Sequence, residues 1–191
     1  MKNKFTILGC GSSLGAPWIT NYMGKLKKNS KNIRTRCCAH IKYGNLSILI
    51  DTSPDIKSQF LKNKINSLDA IIYTHEHADQ TSGIFEMRPF FWKNKKKIPV
   101  YGSKRTINAL ISKYTFCFKP RHGYKPIMAT NIIKNKFEVK VNNKKFKITA
   151  FDVIHGMIKA NGFLFNKIAY ISDCNKIPKN SLKNLFNLDY L

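Results

Sequence analysis

The apolar run Ala70-Ile-Ile-Tyr73 stops at Thr74 and is followed at once by His75-Glu-His77-Ala-Asp79-Gln80. No other feature restricts the fold of this chain as strongly. A short run of Ile and Tyr reads as a buried strand, and the polar cluster falls where that strand would end. If the chain stays extended, His75, His77 and Asp79 share one face, because side chains alternate with period 2. On a helix, residues two apart do not face each other. Imidazoles and a carboxylate gathered on one face at a strand end make a donor set for Zn²⁺, Mn²⁺ or Fe. A histidine-rich loop capping a strand is the plainer alternative. Against it, two of the five histidines and two of the ten acids fall within five residues.

The scarce acids extend the metal argument. Asp51, Asp55, Glu76, Asp79 and Asp173 all sit beside strand ends or chemistry-bearing residues, in a chain with 34 basic side chains and a formal charge of +24. Carboxylates at such places are better explained by a cation than by surface solvation. The positive charge itself attracts polyanions, RNA or a phosphorylated small molecule among them. Its bulk is lysine spread along the chain, while arginine, the better phosphate fork, is scarce, so compositional drift accounts for most of it. The five cysteines form no C-x-x-C pair and no secreted disulfide spacing, which suits reduced thiols in a cytoplasmic protein. No apolar run is long enough for a signal sequence or a membrane span.

The remaining segments imply an α/β layered domain over residues 1–191. Phe5–Leu8 reads as a strand ending in Gly9-Cys-Gly11-Ser-Ser-Leu-Gly15, a loop that either approaches an anion or simply turns tightly. Residues 18–36 read as a long loop, a candidate lip over the site. Cys37–Tyr43 and Leu46–Ile50 form a hairpin across Gly44-Asn45. Ser53 as N-cap, Pro54 and Asp55 predict a helix running to about Lys64 with an Ile56, Phe60, Leu61 stripe. Asp51 either braces the metal loop or serves a turn. Phe90, Phe91 and Trp92 either line a substrate mouth or pack in the core. Ile98–Tyr101 predicts a strand, and Ser103 caps a helix to about Tyr114. Residues 115–126 read as a loop whose His122 either contacts substrate or is merely exposed. Ile127–Ile133, Phe137–Val141 and Phe146–Val153 predict strands, with a turn at Asn142-Asn143 and His155 at the last strand's end. Gly162–Phe165 and Lys167–Ser172 predict a hairpin leading into Asp173. Ser181–Phe186 reads as a short helix and Leu188–Leu191 as the beginning of a strand.

A strand followed by His75-x-His77-x-Asp79, then a strand-end His155, then a strand-end Asp173, resembles the metallo-β-lactamase superfamily. Together with Gly9-Cys-Gly-Ser-Ser13, Arg34-Thr-Arg36 and Asp51-Thr-Ser-Pro-Asp55, it resembles most the phosphoribosyl cyclic phosphate phosphodiesterase (PhnP-type) branch. The tRNA 3′-processing ribonucleases (tRNase Z) are more distant relatives. The resemblance implies an αββα sandwich with the metals at one edge, between the two sheets. It implies that His75, His77 and His155 hold a first metal, that Asp79 binds a second, and that Asp173 bridges them. Asp79, Asp173 and His155 are then the catalytic set, acting with a metal-activated water on phosphorus. Asp79 would orient that water and pass a proton to the leaving oxygen. Arg34, Arg36 or lysines would neutralise the phosphoryl group.

Two departures stand out. The superfamily motif usually continues with histidine where this chain has Gln80, and no histidine follows Asp173. No cysteine cluster lies between Leu14 and Arg34, so an extra structural zinc is not expected. The expectation is one tightly held Zn²⁺ or Mn²⁺ with a second, weaker ion, in the N-terminal part of a longer protein. The function implied is a metal-dependent phosphodiesterase acting on a small cyclic phosphate ester. An RNA-processing nuclease of the tRNase Z type and a non-catalytic binding protein on the same fold are the alternatives.

Overall fold

The computed structural model describes residues 3–27, 29–141 and 144–191. Ten strands form two sheets: β1 Lys4–Gly9, β2 Cys38–Tyr43, β3 Leu46–Ile50, β4 Ala70–Ile72, β5 Ile98–Gly102, β6 Met128–Ile132, β7 Lys136–Val141, β8 Lys144–His155, β9 Ile158–Phe165 and β10 Ile168–Tyr170. The first sheet has the order β1-β2-β3-β4-β5-β6, and the second has the order β10-β9-β8-β7. Pairing is antiparallel from β1 to β3 and parallel from β3 to β6. The parallel half needs crossovers, and helices supply them. These are α1 Ile56–Lys62, α2 Ala78–Thr81, α3 Arg88–Asn94, α4 Lys104–Lys113 and α5 Thr115–Phe118, with α6 Lys179–Leu182 following the last strand.

Side-chain alternation divides the interior. From β2, β3 and β4, Ala39, Ile41, Leu46, Ile48, Ile50, Ala70 and Ile72 point between the sheets and meet Phe146, Ile148, Ala150 and Phe163. The intervening Cys38, Leu49 and Ile71 point the other way, onto Ile56 and Phe60 of α1 and Ile107 and Leu110 of α4. β3 and β4 are thus apolar on both faces, as strands covered by a sheet on one side and helices on the other must be. Each fully buried Ile contributes about 1.5–3 kcal/mol. On the far face of the second sheet, Phe151 and Val153 are covered by Ile177, Leu185 and Leu188. The layers are α, β, β, α, and this is the metallo-β-lactamase fold.

Several boundaries differ from the sequence reading. Helix α1 begins at Ile56 with Asp55 as its N-cap residue and no side-chain capping bond. Ser53 Oγ instead accepts the backbone N–H of Asp55 at 3.0 Å, closing a turn ahead of the helix. Leu61 is 72% exposed, and Gln59 takes the third buried place on that helix beside Ile56 and Phe60. Residues 115–126 are not all loop, since Thr115–Phe118 form α5. β9 begins at Ile158, four residues before the expected start. The expected helix at Ser181–Phe186 divides into α6 and a 3-10 turn over Lys183–Leu185. Leu188–Leu191 forms no strand, only an isolated bridge between Tyr190 and Ile168. The turn expected at Asn142-Asn143 lies outside the described residues. All five cysteines are free. Among the described residues no helix is long and apolar enough to cross a membrane.

Candidate metal centre

The loop after β4 stays extended only as far as His77, whose φ of −65° and ψ of 155° make it the N-cap residue of α2. Asp79 therefore lies in the first turn of a helix and not on a continued strand face, which corrects the period-2 argument for that residue. Tertiary contacts impose the turn: the backbone N–H of Thr52 donates to Gln80 O at 2.7 Å, and Gly83 N–H donates to Thr52 O at 2.9 Å. Gly83 has to be glycine here, because a Cβ would run into the carbonyl of Ser53.

His75, His77 and His155 converge so that one ligand atom from each lies within 4.8 Å of the others. Their ring centroids are 4.6, 5.1 and 5.0 Å apart, a nearly equilateral tripod. His155 reaches the other two because β8 and β9 are joined by a tight turn at Gly156-Met157, where Gly156 has a φ of +58°. The segment after β10 then docks on the end of β8. Asn175 N–H donates to Ile154 O at 2.7 Å, and Asn175 Oδ1 accepts from Gly156 N–H at 2.6 Å. That docking carries Asp173 to the centre.

Asp51 and Thr74 order the first imidazole. Asp51, fully buried at the end of β3 with a φ of +63°, accepts the Thr74 N–H at 2.8 Å and the Thr74 hydroxyl at 2.9 Å. With its proton given to Asp51, Thr74 Oγ1 accepts from His75 Nδ1–H at 3.0 Å. This leaves His75 Nε2 as a lone pair, buried and without a partner. His155 Nδ1 is likewise buried and unpartnered, while His155 Nε2 lies 3.2 Å from His77 Nδ1. Burial pushes the Asp51 carboxyl well above the usual range, and the Thr74 bonds oppose that shift. Burial also lowers His75 to about 4, against the pull of Asp173. Three converging imidazoles, with His75 Nε2 buried and unpartnered, fit a borderline divalent cation.

Asp79 and Asp173 face each other across Gln80. The Gln80 amide donates from Nε2 to Asp79 Oδ2 at 3.2 Å and to Asp173 Oδ2 at 3.0 Å. Its Oε1 is buried without a partner. The three histidines thus form one cluster, and Asp79 and Asp173, whose charges act on His75, are tied to each other by an amide. Two other acids do not belong to it. Glu76 turns away from the histidines and binds Arg105 Nε at 2.6 Å, with Lys113 donating to its backbone carbonyl at 2.7 Å. Burial alone would raise its carboxyl; the Arg105 contact outweighs this and holds it below the usual range. Asp55 pairs with Arg36 at 2.8 Å without hydrogen-bond alignment through Arg36 Nε. The cation that explains these two acids is an arginine.

Sequence reasoning missed Thr74, Ser172 and Cys37. Ser172 Oγ donates to Thr74 Oγ1 at 3.2 Å, and Asn161 N–H donates to Thr74 O at 2.9 Å, which fastens the second sheet to the metal loop. Cys37 is pushed up to about 12 by burial and by the charges of Asp173 and Asp51, which places its thiol near the acidic side of the centre. A strand-end Thr directly before the first histidine was the available signal for Thr74; nothing marked the other two. Gly9 and Gly11 serve close packing, since a Cβ on Gly9 would meet the Arg36 carbonyl. Of the aromatic run, Phe90 and Phe91 pack on the core and Trp92 is 51% exposed. His122 is exposed on a turn.

A family model described as a beta-lactamase superfamily domain matches residues 47–191. The chain belongs to that superfamily. It is similar to a solved diphosphatase of the PhnP family, with 28% identity and a TM-score of 0.86 over 99% of this chain and 72% of that one. The human short-form tRNase Z shares the fold at 18% identity and a TM-score of 0.67, covering 98% of this chain and 76% of that one. Zn²⁺-bound PqqB of Methylobacterium extorquens shares it at 14% identity and a TM-score of 0.74, covering 98% and 71%. An octanoyltransferase of Porphyromonas gingivalis is 24% identical over 182 residues, which are 94% of this chain and 36% of that protein. The chain therefore spans about a third of that relative's length. PqqB is the Zn²⁺-bound neighbour among these, and a histidine triad is present here.

Proposed function

We propose that this chain is a metal-dependent phosphodiesterase whose substrate is a small cyclic phosphate ester, with residues 1–191 forming one catalytic domain. The observation that carries the reading is the tripod of His75, His77 and His155, in which one ligand atom from each lies within 4.8 Å of the others and His75 Nε2 is buried without a partner. The likeness to a PhnP-family diphosphatase supports phosphorus as the reacting centre. His75, His77, His155 and Asp173 would hold a tight Zn²⁺ or Mn²⁺. Such an ion supplies Lewis acidity and a water of lowered pKa.

The side chains do the rest. The Asp51–Thr74 pair keeps the proton of His75 on Nδ1, so that Nε2 always presents its lone pair. Asp79 takes the proton of the attacking water and returns it to the leaving oxygen. Gln80 fixes both carboxylates by its amide N–H groups, so Asp79 reacts from one rotamer. Among the described residues, Asp79 and Asp173 would be the firm donors left for a second ion, which would accordingly be held weakly. Arg36 is neutralised by Asp55, which leaves Arg34 as the freer arginine for phosphoryl charge. The octanoyltransferase match, with 36% of that protein covered, assigns no acyl chemistry to this segment.

The test is hydrolysis of bis(p-nitrophenyl) phosphate against a thioester and a cephalosporin, each with and without added Mn²⁺ or Zn²⁺. Metal-dependent turnover of the diester alone is expected; turnover of the thioester alone overturns the reading. The net charge of +24 favours one other substrate, RNA. For RNA, binding falls steeply with salt through counterion release, whereas a small diester gives a shallow slope.

A further inference from the structure

Away from the metal centre, α3 and the turn over residues 121–124 enclose a cavity of about 640 Å³. Its lining includes Arg88, Trp92, Lys95, Tyr124 and Lys125, and no carboxylate among the described residues. Arg88 and Trp92 are four apart on α3 and share a face. The Arg88 guanidinium carbon lies 4.6 Å from the Trp92 ring centroid, 5.3 Å from that of Tyr124 and 5.5 Å from that of Phe85. Tyr124 is held by a reciprocal pair of backbone bonds with Arg121, at 2.8 and 3.3 Å. His122 and Gly123, with φ of 45° and 80°, make the left-handed turn between them.

Three cations gathered without an acid repel one another, and a bound anion removes that repulsion. Trp92 and Tyr124 remain 51% and 59% exposed although Arg88 lies over both rings, so aromatic surface stays accessible to solvent beside those cations. A simple inorganic anion would leave the rings unused, and an apolar ligand would leave the cations unpaired. A ligand that uses both is a planar ring carrying a phosphate, and the volume falls in the usual range for small-molecule sites.

We propose that this cavity binds a nucleotide unit, with its base stacked on Trp92 and Tyr124 and its phosphate held by Lys95 and Lys125. Arg88, fixed by the rings, keeps its N–H edge for the phosphate or the base edge. The unit is either a free nucleotide or one residue of a single strand. The site uses no metal ligand and stands apart from the hydrolase reading.

The experiment uses Trp18→Phe protein, which leaves Trp92 as the one tryptophan of the chain's two. AMP, an oligoadenylate, an abasic strand of equal length and inorganic tripolyphosphate are titrated against Trp92 fluorescence. The titrations are run on the protein as purified and again after chelation. AMP and oligoadenylate should quench saturably in both states, and tripolyphosphate should not. Tyr124→Leu should weaken AMP binding by about five- to a hundred-fold, the range of a lost stacking partner. Lys125→Ala should lower the salt slope of the oligoadenylate by about one. Tighter binding of the strand than of AMP identifies a polynucleotide as the source, and equal binding identifies a free nucleotide. An abasic strand or an acidic peptide that competes as well as AMP, or a Tyr124→Leu variant with unchanged affinity, overturns the proposal. Diester hydrolysis is read separately, so either reading can fail without the other.

Discussion

His40 and His75 are both buried, and burial brings both to a pKa of about 4. Their surroundings differ in hydrogen-bond partners and in charged neighbours. His40 Nε2 lies 2.8 Å from Ser47 Oγ, which gives its own proton to the Ser67 carbonyl and so accepts the imidazole N–H. His75 makes one bond through Nδ1 and leaves Nε2 buried with nothing to meet. Two more imidazoles and two carboxylates surround that empty direction, whereas His40 has Lys42 and Lys4 as its charged neighbours. Burial is therefore not the mark of a ligand. A buried nitrogen kept as a lone pair by its neighbours is.

The sharpest way to break this comparison is to remove one imidazole from each environment. His155→Ala should lower metal-dependent diester turnover by on the order of 10³-fold or more, because the ion loses one of three nitrogen donors. His40→Gln should leave turnover within a few-fold. Circular dichroism checks that both variants fold, and unchanged turnover in purified His155→Ala would show that the tripod is not the reacting centre.

His40 has its own signature, in stability. Its folded pKa of about 4 lies below the ordinary imidazole value of 6.5, so as pH falls through this interval the unfolded chain takes up a proton that the folded protein refuses. Stability is therefore full above pH 6.5 and declines toward pH 4, by roughly 2–3 kcal/mol from this one group. Urea denaturation at pH 7 and pH 4.5 should show a smaller decline for His40→Gln than for the wild-type chain. Parallel declines would mean that His40 titrates normally in the folded state.

The support of His75 is tested one residue further out. Asp51→Asn keeps an acceptor for the Thr74 N–H, and asparagine tolerates the φ of +63°. It places an amide donor against Thr74 Oγ1, which turns the Thr74 proton toward His75 Nδ1 and moves the imidazole proton onto Nε2. Metal affinity should fall by about 10–100-fold, the usual effect of removing such a supporting group. Competition with a chelator of known affinity measures it. Full affinity in this variant would show that Thr74 does not set the tautomer.

Much of this centre was legible in the sequence, and its hidden parts share a cause. The strands announced themselves because Leu46–Ile50 and Ala70–Tyr73 are apolar on both faces, and Ser103 was readable as a cap because it accepts Thr106 N–H three residues on. The histidines lie at element ends set by local turns. What could not be read depends on partners far along the chain. Helix α2 is four residues long and is held by bonds to Thr52, so no periodicity marks it. Helix α5 is built from Thr, Phe and Cys, which are poor helix formers. The true partners of Asp55 and Glu76 are Arg36 and Arg105, brought there by folding. Gln80 read only as a departure from the usual histidine, because its bond to Asp173 spans 93 positions.

That bond makes the last and smallest prediction, a change in metal count. On the histidine side of the centre His75 Nε2 is buried without a partner; on the carboxylate side the amide of Gln80 already binds Asp79 and Asp173. A second ion between those carboxylates must displace an N–H donor and would gain no imidazole in return. One tight equivalent per chain is therefore expected after exhaustive dialysis, a count of about one that follows from the four-ligand preference of zinc. Gln80→His replaces the amide with a neutral nitrogen donor of similar size at the same buried position. It should raise the retained metal to about two equivalents, with diester turnover rising as attacking and leaving oxygens gain a shared clamp. Elemental analysis of both proteins decides the matter without reference to activity. Two equivalents in the wild-type chain would mean that the amide yields to a second ion, and that the two sides of the centre are equally prepared for metal.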